Sequence, residues 1–190
     1  MAKVDRHGAA AVLTDEQLDA LLAAAPSPRY RCLWAIQRWT AGRISEALAL
    51  RWGDLNDVVT YRKGNTKTKT TRQLPTAPPL TAEIEAYRIA WAAEHGHTPA
   101  KDEALFPAKG STHTPQSRQA ADKALRQTCK ALGLEGVSTH SFRRSLATDR
   151  VRRGFALNVV QQITGHKSLG SLGHYLQADE SEVLAAIVGG

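Results

Sequence analysis

Two predicted helices each carry an arginine and a second polar group on one face. Arg43 and Glu46 are three residues apart at the start of one helix, and His140 and Arg143 have the same spacing on another. Residues three apart on a helix are neighbours on its surface. A guanidinium is a planar fork that binds two phosphate oxygens at once, so each arginine is a candidate phosphate ligand.

Two further groups add ammonium, imidazole and phenol side chains. Lys67 and Lys69 are two residues apart in a stretch that we interpret as a strand, which would place both on one face. His166 follows a glycine, and Tyr175 lies nine residues after His166. A tyrosine oxygen can attack phosphorus and form a covalent link. Because the reference pKa of a phenol is about 10, such a tyrosine needs a proton acceptor or strongly cationic surroundings.

The sequence shows no cluster of metal-ligating residues, so we expect neither a metal ion nor another cofactor. Arginine and histidine side chains would then stabilise the charge that develops on the non-bridging phosphate oxygens.

The 190-residue chain is basic, with 25 lysines and arginines against 18 acidic residues and a net charge of +7. Much of the excess lies in 61–72 and 143–167. Such an excess favours a polyanionic partner, nucleic acid first and an anionic membrane second, and a merely basic protein is the alternative. The sequence has no signal peptide and no membrane-length apolar run, and its two cysteines are far apart. We therefore expect a reducing, cytoplasmic location, associated with the nucleoid, and no membrane partner.

The hydrophobic pattern predicts a mainly α fold with one small antiparallel β-sheet, of the α+β class. Thr14 and Gln17 form a capping-box sequence that opens the first helix. Val58 to Leu74 begins with β-prone residues and then alternates threonine with lysine, which indicates a hairpin or a three-stranded sheet. Further helices are predicted over 29–40, 44–50, 81–94, 115–132, 140–153, 156–164, 168–177 and 179–188.

The order of these groups and their flanking residues resemble the tyrosine recombinases, also called the phage integrase family. TAGRISEALALRWGDL resembles the family's first active-site segment, and NTKTKTTRQLP resembles its lysine-bearing hairpin, with Lys67 eight residues before a proline. STHSFRRSLATDRVRRG is similar to the family's H-x-x-R helix, and ITGHKSLGSLGHYLQ to its G-H segment followed by the tyrosine. The resemblance extends from about Leu13 to Leu176.

The resemblance implies a site-specific recombinase that cuts and rejoins DNA through a 3′-phosphotyrosyl intermediate. Tyr175 would be the nucleophile, and Arg43 and Arg143 would clamp the phosphate. His140 would accept a proton or donate to the phosphate, and His166 would donate to a phosphate oxygen.

The leaving 5′-oxygen needs a proton, which a hairpin lysine supplies in the family. Lys67 matches that position, with Lys69 as its competitor, and Glu46 would orient Arg43 or another cation of the site. Four basic residues are expected to contact DNA, namely Lys69, Arg72, Arg144 and Lys167.

Three positions depart from the family pattern. Gly42 lies immediately before Arg43, where the family places a glycine two residues before the arginine, and Thr164 stands where the family prefers leucine. Gly170 and Gly173 flank the place of a common threonine pair. Since each glycine in a helix costs about 1 kcal/mol relative to alanine, we expect a loosely held tyrosine segment that orders on DNA or on a partner subunit.

We expect an N-terminal arm over 1–12, a catalytic domain over 13–177 and a tail over 178–190 that docks on a neighbouring subunit or folds back. The family's N-terminal DNA-clamp domain is expected to be absent, so an accessory clamp protein is a possible partner. The expected partner is double-stranded DNA, bound by a homo-oligomer of up to four chains. Two other functions stay open: a type IB-like relaxation or end-resolving enzyme, and a non-catalytic DNA-binding regulator.

Overall fold

The computed structural model describes residues 10–175, 184, 187 and 188, and for 174 and 175 only the backbone. The predicted α+β class is confirmed. Seven helices are described: α1 (Asp15–Ala23), α2 (Pro28–Thr40), α3 (Ile44–Leu48), α4 (Pro78–His95), α5 (Arg118–Ala131), α6 (Thr139–Arg152) and α7 (Leu157–Thr164). Short 3₁₀ helices cover Trp52–Asp54 and Leu169–Tyr175. Most of the predicted 179–188 helix, and the predicted tail with it, lies outside the described residues.

The sheet is a two-stranded antiparallel hairpin, which decides between the two predicted forms. Strand β1 (Val58–Tyr61) pairs with β2 (Arg72–Pro75), with Val58 opposite Pro75 and Tyr61 opposite Arg72. The ten residues 62–71 connect them, so the strands are shorter than the predicted 58–74 stretch.

Helix α2 is the centre of the main core and packs against α1, α3, α4 and α6. Leu33, Trp34 and Ile36 are fully buried on it. The buried Gln37 donates through Nε2 to the Thr139 carbonyl at 3.1 Å and to the Gly42 carbonyl at 3.4 Å. This amide therefore ties α2 both to the first residue of α6 and to the loop before α3.

A second, small core joins the last elements described. Ala147 of α6, Val160 of α7 and Leu172 of the second 3₁₀ helix are fully buried against one another. The tyrosine-bearing segment is thus anchored through Leu172, separately from the main core.

Two helix starts differ from the sequence prediction by three residues, each for a local reason. Helix α5 begins at Arg118 rather than at 115, because the Gln116 amide donates to the Phe106 carbonyl at 2.8 Å and the Ser117 side chain caps the helix by accepting from the Ala120 amide. Helix α4 begins at Pro78, three residues before the predicted start, since proline is tolerated in the first turn.

Within the described part of the chain, no helix is long and apolar enough to cross a membrane.

Glu103 organises the loop that connects α4 to α5. Its buried carboxylate accepts from the Ala100 amide at 2.7 Å and lies 3.1 Å from His97 Nε2. Burial opposes ionisation, but hydrogen bonds from Thr112, Ala100 and His97 outweigh it and lower the pKa of Glu103 to about 2. The same hydrogen bond raises the pKa of His97.

We expect Glu103→Gln to lower the free energy of unfolding by about 1–3 kcal/mol near neutral pH, the range for hydrogen bonds to a charged group. Because the pKa of Glu103 is lowered on folding, its contribution is full above about pH 4.5 and is lost as the pH falls toward 2. The raised pKa of His97 has the opposite sign, so its contribution is full below about pH 6.5 and is lost at higher pH.

Urea unfolding at several pH values measures both effects. Glu135→Gln, at an exposed position, is the matched control and should leave stability unchanged. Equal stability of Glu103→Gln and the parent chain between pH 4.5 and 6.5 would contradict the assigned role.

Candidate active site

A buried carboxylate lies at the centre of the candidate site. Glu46, at the third position of α3, accepts from the backbone amide of Arg43 at 3.1 Å and from Arg43 Nη1 at 2.8 Å. Its other partner is Arg72 Nη2, at 3.3 Å. Glu46 is only 2% exposed, so the two guanidinium groups, rather than water, compensate the burial of its carboxylate. The structure places Glu46 where it orients two cations.

Arg72 links the hairpin to α2 and α7. Its Nη1 donates to the Ile163 carbonyl and lies 3.4 Å from the Thr40 carbonyl, and its guanidinium covers the Tyr61 ring at 4.5 Å from the centroid. Its side chain is 11% exposed. These described contacts make Arg72 an internal member of the site, and the DNA contact expected of it stays a prediction.

Arg143, the fifth residue of α6, enters the site from the second turn of that helix. The residue is 5% exposed, and its Nη1 donates to the Ala41 carbonyl at 3.0 Å. Ala41 ends α2 in the left-handed conformation, with φ of 51°, and so turns its carbonyl toward α6. Arg143 Nη2 lies 3.2 Å from His166 Nε2. Two of the predicted residues are therefore in direct contact.

His166 follows the end of α7 and is held at both ring nitrogens. Its Nδ1 lies 2.7 Å from the Thr164 hydroxyl, and its carbonyl accepts from Gln161. Burial, followed by the charges of Arg143, Arg43 and Arg72, lowers the pKa of His166 to about 4.

Gly165 makes the turn of the chain from α7 to His166 possible. Its φ of 65° is a left-handed conformation that favours glycine. A Cβ there would also lie 3.3 Å from Arg72 Cδ.

These side chains border a cleft of about 730 Å³ between the hairpin and α7. Arg43, Glu46, Arg72, His166 and Lys167 line it together with threonines of the hairpin connection. Lys167, expected to contact DNA, is exposed at its edge. Segments far apart in the sequence thus place their cations around one open space.

The placement of the two hairpin lysines on one strand face was wrong. Lys67 and Lys69 both lie in the 62–71 connection, are exposed, and do not lie on a strand. The buried Thr66 closes this connection: its hydroxyl donates to the Thr70 carbonyl at 2.9 Å, and the Thr70 amide lies 3.2 Å from it. Lys69 has a φ of 57°, which breaks the strand alternation. The choice between the two lysines stays a prediction.

His140 and Arg144 are not among the residues that line the cleft between the hairpin and α7. His140 is exposed and borders a second cleft with Arg118 and Arg126 of α5. Arg144 is half-buried, and its Nε has no hydrogen-bond partner among the described residues. Sequence reasoning missed Arg118, which the Ser117 cap places at the first position of α5.

Tyr175 is the last residue of the second 3₁₀ helix, and its side chain lies outside the described part of the structure. The predicted 168–177 helix is a 3₁₀ helix over Leu169–Tyr175. Leu172, one 3₁₀ turn before the tyrosine, is buried. A Cβ at Gly173 would meet nothing within 4 Å, so packing does not require glycine there. The predicted looseness of this segment stays a prediction.

Gly42 explains one departure from the family pattern. A Cβ on Gly42 would lie 2.3 Å from the Tyr61 hydroxyl. That hydroxyl is 2.5 Å from Thr40 Oγ1, which itself donates to the Ile36 carbonyl, so Tyr61 is the donor in the pair. Burial raises the pKa of Tyr61 to about 12 and keeps this proton in place. A glycine at 42 is needed because the tyrosine that supports Arg72 fills the space.

Within the described residues, no group of three or more histidine, cysteine, aspartate or glutamate side chains could hold a metal ion.

Comparison with known proteins identifies the family that this sequence matches. Residues 11–182 match the model of the phage integrase family. The tyrosine recombinase XerD of Corynebacterium glutamicum is 30% identical over 142 residues, which cover 74% of this chain and 45% of that protein. XerC of Methylobacterium nodulans is 32% identical over 151 residues, covering 76% and 44%. The chain therefore spans about half the length of these curated relatives.

A solved structure shows the same fold. The XerH site-specific recombinase bound to palindromic difH substrate, in a post-cleavage complex, has a TM-score of 0.73 and 25% identity. The match covers 97% of this chain and 54% of the XerH chain.

We expect Gly42→Ala to displace the Tyr61 ring and to lower the free energy of unfolding by about 1–3 kcal/mol, the usual cost of an overpacked core. Thermal or urea unfolding measures the change. Gly64→Ala is the matched control, because a Cβ there meets nothing within 4 Å. Adding Tyr61→Phe to Gly42→Ala removes the closest clashing atom and should restore part of the lost stability. Equal stability of the two alanine variants would contradict the packing argument.

Proposed function

The chain belongs to the phage integrase family, and we propose that it is a site-specific DNA recombinase that acts through a 3′-phosphotyrosyl intermediate. The observation that carries the proposal is the convergence of Arg43, Arg143 and His166 on one basic site. Arg72 and Glu46 hold that site together.

The guanidinium groups of Arg43 and Arg143 suit the transition state of phosphodiester exchange. Negative charge builds up on the non-bridging phosphate oxygens, and Arg43 and Arg143 would bind them. Both guanidiniums are already held, Arg43 by Glu46 and Arg143 by the Ala41 carbonyl. Little reorganisation is then needed when the phosphate arrives.

The proposed cleavage step exchanges one phosphate ester for another. The Tyr175 oxygen bonds to phosphorus, the bond from phosphorus to the 5′-oxygen breaks, and a 3′-phosphotyrosyl link remains. The phenol proton goes to His140 or solvent, and the 5′-oxygen takes a proton from Lys67. Attack by a second 5′-hydroxyl reverses the step, so the bond energy is kept and no external energy source is required.

The proposed partner is double-stranded DNA, and related structures support this choice. XerH is described bound to difH substrate, and lambda integrase as a dimer bound to a core site. Exchange between two duplexes requires four cleaved strands, so we propose that up to four copies of the chain assemble on DNA, in the compartment that holds it. Docking of the 178–190 tail on a neighbouring copy, and an accessory clamp protein, belong to the same proposal.

We expect the chain to form a covalent adduct with supercoiled plasmid DNA in EDTA, and Tyr175→Phe to abolish it while DNA binding persists. The phenylalanine ring lacks the attacking oxygen but keeps the shape. Denaturing gel electrophoresis detects the adduct, and plasmid relaxation is followed in parallel. Tyr30→Phe, at a half-buried position on α2, is the matched control and should retain the adduct.

The outcomes separate the competing functions. Adduct with exchange at paired recombination sites supports recombination. Adduct and relaxation without any exchange favours a type IB-like enzyme. Bound DNA with no adduct from the parent chain contradicts the proposal and favours a regulator.

The choice between the hairpin lysines has its own test. Lys67→Ala should slow cleavage of ordinary DNA by about 10²–10⁴, the usual contribution of general acid catalysis. A DNA substrate with sulfur in place of the 5′-bridging oxygen has a leaving group that needs no proton, so it should be cleaved at nearly the parent rate. Lys69→Ala is the control and should cleave both substrates normally. The reverse pattern would assign the proton to Lys69.

A further inference from the structure

Thr164 is a buried hydroxyl beside a ring of the proposed site. It is the last residue of α7 and is fully buried. Its Oγ1 lies 2.7 Å from the Val160 carbonyl and 2.7 Å from His166 Nδ1. The resemblance to the family leaves this residue without a role, since the family prefers leucine at this position.

The contacts of Thr164 determine which ring nitrogen carries the proton. Besides the Val160 carbonyl, the hydroxyl lies 3.4 Å from the Gln161 carbonyl, which also can only accept. A hydroxyl has one hydrogen, and a carbonyl oxygen can only accept, so the hydrogen points to Val160. Toward His166 the hydroxyl oxygen must then accept, which requires a hydrogen on Nδ1.

The opposite side of the ring agrees with this assignment. His166 Nε2 lies 3.2 Å from Arg143 Nη2, and a guanidinium can only donate. Nε2 must therefore offer a lone pair, which is the neutral ring with its hydrogen on Nδ1. Two independent partners, on α7 and on α6, select the same tautomer.

We propose that Thr164 is a positioning residue that fixes the Nδ1–H tautomer of His166 and aims its Nε2 at Arg143 and the phosphate site. The catalytic consequence rests on the proposed function. Because Nδ1–H is committed to Thr164, His166 can donate to a phosphate oxygen only from Nε2, and only after the ring gains a second proton at that atom.

The surroundings of His166 make that proton depend on the substrate. Arg143 from α6, Arg43 from the start of α3 and Arg72 from β2 face the ring and disfavour its charge, and Lys167 follows it in the chain. An anionic phosphate among these cations offsets them and favours protonation. Binding of the phosphate and binding of the proton then strengthen each other. Cleavage should slow as the pH rises above the pKa that His166 has in the complex with phosphate.

The test reads the tautomer in the DNA-free protein. In the full chain labelled with ¹⁵N-histidine, NMR distinguishes a protonated from an unprotonated ring nitrogen, and loss of signals in His166→Ala assigns the ring. We expect a protonated Nδ1 and an unprotonated Nε2 near neutral pH. Protonated Nε2 in the parent chain would overturn the proposal, whether or not any variant folds.

Two substitutions test Thr164 itself. Thr164→Val keeps the shape but removes the acceptor. Arg143 remains as the second partner, so the variant should raise the population of the other tautomer without making it exclusive, and should slow adduct formation about tenfold, as expected for one lost hydrogen bond. Thr164→Ser should restore both. Thr128→Val, at another nearly buried helix threonine, is the control for a general loss of packing.

The readouts separate this inference from the proposed function. An unchanged tautomer in Thr164→Val would refute the positioning role, even in a protein that cleaves DNA. The expected tautomer shift in a chain that forms no adduct would uphold the positioning role and reject the proposed function.

Discussion

A carboxylate with almost no contact with water must be balanced by cations, and at Glu46 this requirement determines the arrangement of the site. An uncompensated buried charge costs several kcal/mol, so Arg43 and Arg72 cannot move away independently. One of these arginines precedes α3 and the other begins β2, so a single anion fixes the hairpin against the main core. Arg72 extends the connection to α7 through the Ile163 carbonyl.

The same arrangement leaves the site with an excess of positive charge. Among the described residues, the guanidiniums of Arg43 and Arg72 meet at the carboxylate of Glu46, and Arg143 contacts His166. Burial, followed by the field of these three arginines, lowers the pKa of His166. A cluster of fixed cations that disfavours a further proton is suited to receive an anion. The three arginines therefore contribute, after burial, to the lowered pKa of His166 and also to the affinity for phosphate that we propose.

Sequence reasoning predicted the contacts that depend on local spacing and missed those that depend on distant chain segments. Arg43 and Glu46 meet because they are three apart on a helix. The prediction that Lys67 and Lys69 lie on a strand was wrong. Alternating threonine and lysine is typical of a strand, but the hydrogen bond from the Thr66 hydroxyl to the Thr70 carbonyl holds the segment in a turn. Arg72 looked like one more surface cation, since its partner carbonyl at Ile163 is 91 residues away. No local pattern reports such a partner.

Helix α7 connects the hairpin to the second, small core. The Ile163 carbonyl of this helix accepts a hydrogen bond from Arg72, and its Val160 side chain packs against Leu172. At the end of the helix, the Thr164 hydroxyl contacts His166. Arg43 and Arg143 are held instead by α3 and by the Ala41 carbonyl, which belong to the main core. A shift of α7 would thus carry His166 and the 3₁₀ segment of Leu172 together. Because His166 Nε2 also lies 3.2 Å from Arg143 Nη2, such a shift would act on the proposed phosphate site through the contact between these two side chains.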